Sequence, residues 1–210
     1  PCRPAHPSAT MNVWPSRLDT NPRPKLQMPM SDRLATLRSR KLCEPLVIVG
    51  LYVVLAIWST WPVTQQSTSA LPRGASPGAA VPLFNLWTLW WNSAWFGSVD
   101  RGPVEASYCN APIFHPGENT FAFSEPQPTS IVVAPVIWLT GSSVLAYNLY
   151  LLLSLLLNGV LAWRLLKFLR VHRLVAAGGG AAMMLLPIVH YQRDVLQLIP
   201  VWGILWTWLA

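Results

Sequence analysis

The sequence predicts an all-α integral membrane protein. It reads as the N-terminal part of a polytopic helical bundle, with a long outer first loop that carries an interfacial helix. Three observations predict this. Of 210 residues, 52% are hydrophobic and 11% charged, where ordinary soluble domains carry about 25% charged residues. Twelve tryptophans suit a chain whose aromatic side chains anchor at membrane–water interfaces. The net charge of +7 is also localised: eight of the fifteen Lys and Arg residues precede Glu44, and four more stand at 164, 167, 170 and 173. Basic clusters beside apolar runs set membrane topology, whereas a nucleic-acid reader spreads its cations over one face. The composition therefore excludes a typical cytosolic globule, an acidic disordered chain and a nucleic-acid partner, and makes the lipid bilayer the expected partner.

Residues 1–42 form a Pro-rich basic leader that buries too little apolar surface to offset its ordering entropy, so disorder is expected there. Within it, residues 30–42 (MSDRLATLRSRKL) suit a short basic juxtamembrane helix capped by Ser31 or Asp32. The chain starts at Pro1, with Met11, Met28 and Met30 as further possible starts, and stops at Ala210 inside an apolar run; it reads as a portion of a longer protein.

Residues 43–63 make a first transmembrane helix, with Trp58 and Trp61 at its exit as interfacial anchors. The small residues Thr68, Ser69 and Ala70 leave a cleaved signal peptide as the alternative. Residues 64–130 hold only Arg73 and Arg101 as cations, which places this loop outside and the N-terminus in the cytoplasm of an inner-membrane protein. Inside the loop, residues 82–97 (PLFNLWTLWWNSAWFG) carry Asn85, Thr88 and Asn92 three and four residues apart. This is a polar stripe on an apolar helix that either lies in the interface or packs buried against other spans.

Residues 131–163 hold a re-entry segment and a second transmembrane helix, and residues 164–174 a cytoplasmic basic loop. Residues 175–189 form a third span, where Gly178, Gly179 and Gly180 permit close helix contact. Residues 190–194 are an outer turn, and residues 195–210 begin a fourth span.

Few residues carry chemistry. Cys43 and Cys109 fall on opposite sides of the membrane in this topology, and no Cys or His spacing supports zinc. No cofactor is expected and a divalent metal has no support. Walker, GxGxxG, GxSxG and HExxH motifs are absent from the sequence. Asp100, Glu105, Glu118 and Glu125 occupy the outer loop, each either a solvated carboxylate or a general base. His115 and Glu118 form an HxxE inside a Pro-Gly turn. His190, Gln192, Arg193 and Asp194 cluster outside the third span, where ionisable residues are functional candidates and a cation can bind a lipid phosphate; an ordinary Arg193–Asp194 ion pair is the alternative. Asn148 and Asn158 read as interhelical hydrogen-bonding residues.

The pieces PLFNLWTLWWN, APIFHP, TFAFSEPQP, AYNLYLLLSLLLNG, LPIVHYQRDVLQLIP and WGILWTW resemble bacterial multi-span proteins grouped with GT-C type, polyprenyl-phosphate-sugar-dependent glycosyltransferases. The resemblance covers roughly residues 80–210. It implies a membrane enzyme that moves a sugar from a lipid-phosphate carrier to an acceptor on the outer face, with a loop carboxylate as base. Such enzymes commonly place that acid soon after the first span, but residues 65–95 contain no Asp or Glu. By position the base falls to Asp100 or Glu125. Glu105, His190 and Arg193 become the substrate-binding residues, the last two near the carrier phosphate. The alternatives are a non-enzymatic transport or assembly subunit and an inactive truncated fragment.

Overall fold

The computed structural model describes residues 30–74, 80–97, 107–114 and 116–210, with side chains from Cys43 onward. The chain divides into two compact units, Pro1–Arg40 and Lys41–Ala210. Of the first, only helical residues 30–40 are described; the expectation of disorder over residues 1–29 lies outside the described residues. The second unit carries the core and the candidate site.

Among the described residues every regular element is helical. The α-helices are α1 (Met30–Ser59), α2 (Ala80–Gly97), α3 (Ala134–Thr140), α4 (Ser143–Phe168), α5 (Arg173–Met184), α6 (Pro187–Tyr191) and α7 (Trp202–Leu209), with short 3₁₀ turns between them. Local chemistry explains the breaks. Gly141, at φ 70°, closes α3, since glycine enters the left-handed region without a Cβ clash. Ser142 then caps α4, its Oγ accepting from Leu145 N at 3.2 Å.

The third apolar run is helical in two pieces: Pro187 ends α5's continuation and opens α6 as a first-turn residue. The expected fourth helix departs further from the sequence reading. Residues 195–210 fold as a 3₁₀ turn at Leu196–Leu198, then Pro200, then α7; Pro200 lacks the N–H that a continuous helix would need there, although Ile199 before it keeps helical dihedrals, φ −78° and ψ −40°.

The spine is α4, 26 residues long and so about 39 Å from end to end. Around it packs one core drawn from Tyr52 of α1, Leu89 of α2, Leu151 and Leu155 of α4, Met184 of α5 and Leu196 and Ile199 beyond. The α4–α5 contact depends on two glycines. A Cβ on Gly180 would lie 2.6 Å from Gly159 O and 2.8 Å from Tyr52 Cζ, so only glycine lets these backbones meet with the Tyr52 ring between. Tyr52 Oη donates to Ala177 O at 2.7 Å across the same seam. Gly178, by contrast, faces open space.

Two polar contacts orient the bundle. Lys167 Nζ lies 2.7 Å from Glu44 Oε1, joining the foot of α4 to the start of α1's described side chains. Arg193 Nη2 donates to Ser59 O at 2.7 Å, joining the other end of α1 to the 190–194 turn. The basic stretch 164–173 and the 190–194 turn therefore occupy opposite ends. Among the described residues two helical segments, Ser143–Phe168 and Arg173–Tyr191, are long and apolar enough to cross a membrane. Leu46, Leu51, Val54 and Trp58 on α1 and Leu174, Val175 and Ile188 beyond α4 are exposed along the bundle's flank.

Candidate functional site

The polar stripe of α2 turns inward. Asn85 and Thr88 are 0% exposed and Asn92 is 1% exposed, so this helix presents its amides to protein. A buried carboxamide is costly unless its donors and acceptor are met, and here main-chain carbonyls of irregular segments meet them. Asn92 Nδ2 donates to Pro126 O at 2.7 Å, Gln127 O at 3.1 Å and Ser130 Oγ at 2.9 Å, while its Oδ1 accepts from Tyr108 Oη at 2.6 Å. Asn85 Nδ2 donates to Asp194 O at 3.0 Å.

The α4 asparagines repeat this device. Asn148 Nδ2 donates to Ser67 O and Ala70 O, both at 2.8 Å. Asn158 Nδ2 donates to Ile199 O at 2.8 Å and its Oδ1 accepts from Trp202 N, an orphan donor at the start of α7, at 2.7 Å. Asn158 thus makes a helix-to-helix bond from α4 to α7, as the sequence suggested, and also holds the Ile199 carbonyl, whereas Asn148 holds the non-helical backbone of Ser67 and Ala70 instead. Irregular backbone buried inside a protein is tolerable only where other groups satisfy it.

Gln127 joins these clamps. Its backbone stands at φ 45°, a left-handed conformation that costs a non-glycine residue roughly 1–2 kcal/mol. Its carboxamide donates to Asn85 Oδ1 and, at 2.9 Å, to Gln197 Oε1. Gln197 Nε2 in turn donates to Glu125 Oε2. An amide relay thus runs from Glu125, exposed at the surface, through Gln197, Gln127 and Asn85 to the backbone of Asp194. The relay leaves the Glu125 carboxylate at the surface end, oriented by one hydrogen bond.

At the other end of this relay stand His190 and Arg193. Arg193 Nε donates to His190 Nδ1 at 2.8 Å, with Nη2 also against that nitrogen. His190 Nδ1 must then be an acceptor, so its proton sits on Nε2, which lies 3.1 Å from Met184 O. Arg193 is half-buried, and burial lowers its pKa from the ordinary value, although a guanidinium keeps its proton. Among the described residues no carboxylate lies within ion-pair distance of it, and Glu44–Lys167 is the ion pair found there. The Arg193–Asp194 ion pair open in the sequence does not form. Asp194, 1% exposed, packs its carboxylate against Gly74, where an added Cβ would collide with it and lie 2.9 Å from Tyr191 O. Tyr147 Oη reaches Arg193 O and Asp194 O at 3.4 Å each.

Beside the relay, Trp87, Trp91 and Trp95 stack down α2, and Tyr108 and Phe121 meet them edge-on or tilted. Burial here raises the Tyr108 pKa, with Cys109 adding to the rise, so its hydroxyl is fixed as the donor to Asn92.

Of the sequence-predicted site residues, Glu125 begins a relay that ends on the Asp194 carbonyl, one residue after Arg193, whose side chain is engaged separately by His190 and Ser59 O. Asp100 and Glu105 lie outside the described residues, as does His115 of the HxxE; Glu118 is exposed in its turn. Among the described residues no three His, Cys, Asp or Glu side chains gather as a metal site. Sequence reasoning missed Gln127, Gln197, Gly74 and the Ser59 carbonyl. Gln197 carried a usable signal as the single polar residue in VLQLIP; the Ser59 carbonyl carried none. No protein-family model, curated protein or solved structure matches the chain.

Proposed function

We propose that this chain is a multi-pass protein of the inner membrane, with a cytoplasmic N-terminus, that handles a sugar carried on a lipid phosphate, in the manner of GT-C type glycosyltransferases. The observation that carries the reading is Arg193. A half-buried cation with no carboxylate in reach is expensive unless an anion completes it, and Nη1 has no acceptor among the described residues. His190 and Ser59 O fix the guanidinium plane, so the remaining Nη1 hydrogens present one geometry, which suits an anionic phosphate oxygen. The apolar flank of the bundle, where Leu51, Val54 and Ile188 are exposed, supports a carrier approaching through the bilayer.

Glu125 then serves as the base that takes the acceptor hydroxyl's proton, while the phosphate leaves with Arg193 against it. Positioned acid–base groups of this kind contribute about 10²–10⁴-fold. Asp100 remains the second candidate for the same role, and Glu105 a substrate contact. The test is transfer from a radiolabelled polyprenyl-phosphate-sugar in membranes carrying the protein. Glu125→Gln should lower transfer by at least about 100-fold with donor binding retained, and Arg193→Gln should weaken donor binding itself. Full transfer by the Glu125→Gln protein moves the base to Asp100, checked with Asp100→Asn. Absence of transfer from the folded wild-type protein across the common sugars rejects the enzymatic reading.

A further inference from the structure

A second lipid-facing feature lies at the opposite end of the bundle, where α1 and α5 diverge. Cys43, Glu44, Val47, Ile48, Arg173, Leu174 and Ala177 line a groove there. Its walls are aliphatic and its mouth is charged. Glu44 is already engaged by Lys167 at 2.7 Å, whereas Arg173 is exposed and has no carboxylate within ion-pair distance among the described residues. Arg170, just past the Leu169 cap of α4, takes the left-handed region at φ 60°, and two residues later His172 caps α5, so the turn that carries Arg170 also delivers Arg173 to the mouth. In sequence, Lys41 stands two positions before Cys43. This end therefore combines an excess of cations with an open aliphatic slot; Val47 is 67% and Leu174 72% exposed.

We infer that this groove binds one anionic phospholipid, with an acyl chain along Val47, Ile48, Leu174 and Ala177 and the headgroup phosphate on Arg173. Charge complementarity selects the occupant. An acyl chain alone is satisfied anywhere along the flank, but a basic mouth beside an apolar slot favours a lipid carrying net negative charge, and each cation near the surface contributes about 1 kcal/mol to such binding. A second copy of this chain would have to bring its own carboxylates to the mouth. Among the residues whose side chains are described, the carboxylates are Glu44, Glu118, Glu125 and Asp194, of which Glu44 is committed to Lys167, Asp194 is buried, and the other two belong to the loop packed at α2. The inference rests on the membrane reading above and not on sugar transfer.

The experiment reconstitutes the chain in nanodiscs with phosphatidylglycerol or phosphatidylcholine bearing a photoactivatable acyl chain and maps the labelled residues. Phosphatidylglycerol should label Val47, Ile48 and Leu174 in preference to phosphatidylcholine, and Arg173→Gln should reduce that labelling about fivefold. Arg173 is exposed, so this variant folds as the parent does. Ala177→Phe, which fills the slot, should also abolish labelling while Arg173 remains. Equal labelling by both lipids, or labelling indifferent to Arg173→Gln, overturns the inference, as does cross-linking of the groove to a second copy. Label on Leu51 and Val54 without any in the groove overturns it and leaves the membrane reading standing; no label anywhere removes both.

Discussion

The two ends of the bundle handle polar groups in opposite ways. At the α4 foot, charge stays at the surface: Glu44 and Lys167 pair with side chains 36% and 39% exposed, and Arg173 points outward beside an apolar groove. At the other end, polar groups are drawn inside. Asn85, Asn92, Gln127 and Asp194 are all buried, and Arg193 is half-buried with only neutral acceptors around it among the described residues. The difference teaches where this chain commits conformational specificity. Exposed charges can be exchanged with water at little cost, whereas a buried amide must be matched by a particular carbonyl, and those matches determine how the loops close over α2 and α4.

The comparison breaks most sharply at Asn92. Replacing it by Leu keeps the volume near that of the original but strands Pro126 O, Gln127 O, Ser130 Oγ and Tyr108 Oη, four groups that it now joins. Each buried orphan costs about 1–3 kcal/mol, offset in part by local rearrangement, so a net loss of roughly 3–5 kcal/mol is expected. Thermal unfolding in detergent should show a larger drop than Arg193→Gln or Lys167→Gln produces, with the fluorescence of the α2 tryptophans changing as the loop over Phe121 releases. A drop no larger than that of a surface variant would mean that the relay is incidental to the fold.

Arg193 sharpens the same contrast from the side of function. Arg193→Gln loses the bonds to His190 Nδ1 and Ser59 O but also removes a half-buried charge, and these effects oppose one another. The expected change in stability without ligand is therefore small, within about 1 kcal/mol. The informative measurement is the shift on adding a polyprenyl phosphate. Wild-type protein should gain stability as the anion binds, by about 2.7 kcal/mol at a hundred times the dissociation constant, and the variant should gain little. A variant stabilised as much as wild type would show that the guanidinium serves α1 and α6 alone.

Much of the helical framework was legible in the sequence because it depends on local pattern. The apolar run at 144–163 became the core of α4, and the three- and four-residue spacing of Asn85, Thr88 and Asn92 marked a helix face. That spacing could not say which way the face turns, since an interfacial helix and a buried one share it. Partners distant in the chain were equally out of reach: Arg193 meets Ser59 across 134 positions through a backbone oxygen that every residue possesses. Gln127 was hidden for another reason. Its left-handed backbone depends on the Asn92 and Asn85 clamps, while the flanking Pro126 and Pro128 predict only an extended turn. Glu125, two positions before it, was read from the sequence as a candidate base or a solvated carboxylate; the structure places it exposed at the surface end of the relay, and the role of base belongs to the proposal.

The smallest expected effect lies at the exposed end. Lys167→Gln removes the Glu44 partner, a contact between side chains that are both more than a third exposed. Such pairs contribute about 0.2–1 kcal/mol, and salt screens them, so a loss of no more than about 0.5 kcal/mol is expected, vanishing at high ionic strength. The sign of its effect on lipid binding is less obvious and therefore more useful. Freed from Lys167, Glu44 would place an unneutralised carboxylate at the groove mouth, opposing an anionic headgroup on Arg173. Phosphatidylglycerol labelling of Val47 and Leu174 should fall even though the fold is hardly perturbed, and Glu44→Gln in the same background should restore it. If Lys167→Gln instead lowered stability as far as Asn92→Leu, the surface pair would be a structural clamp, and the division between an exchangeable end and a committed end would not hold.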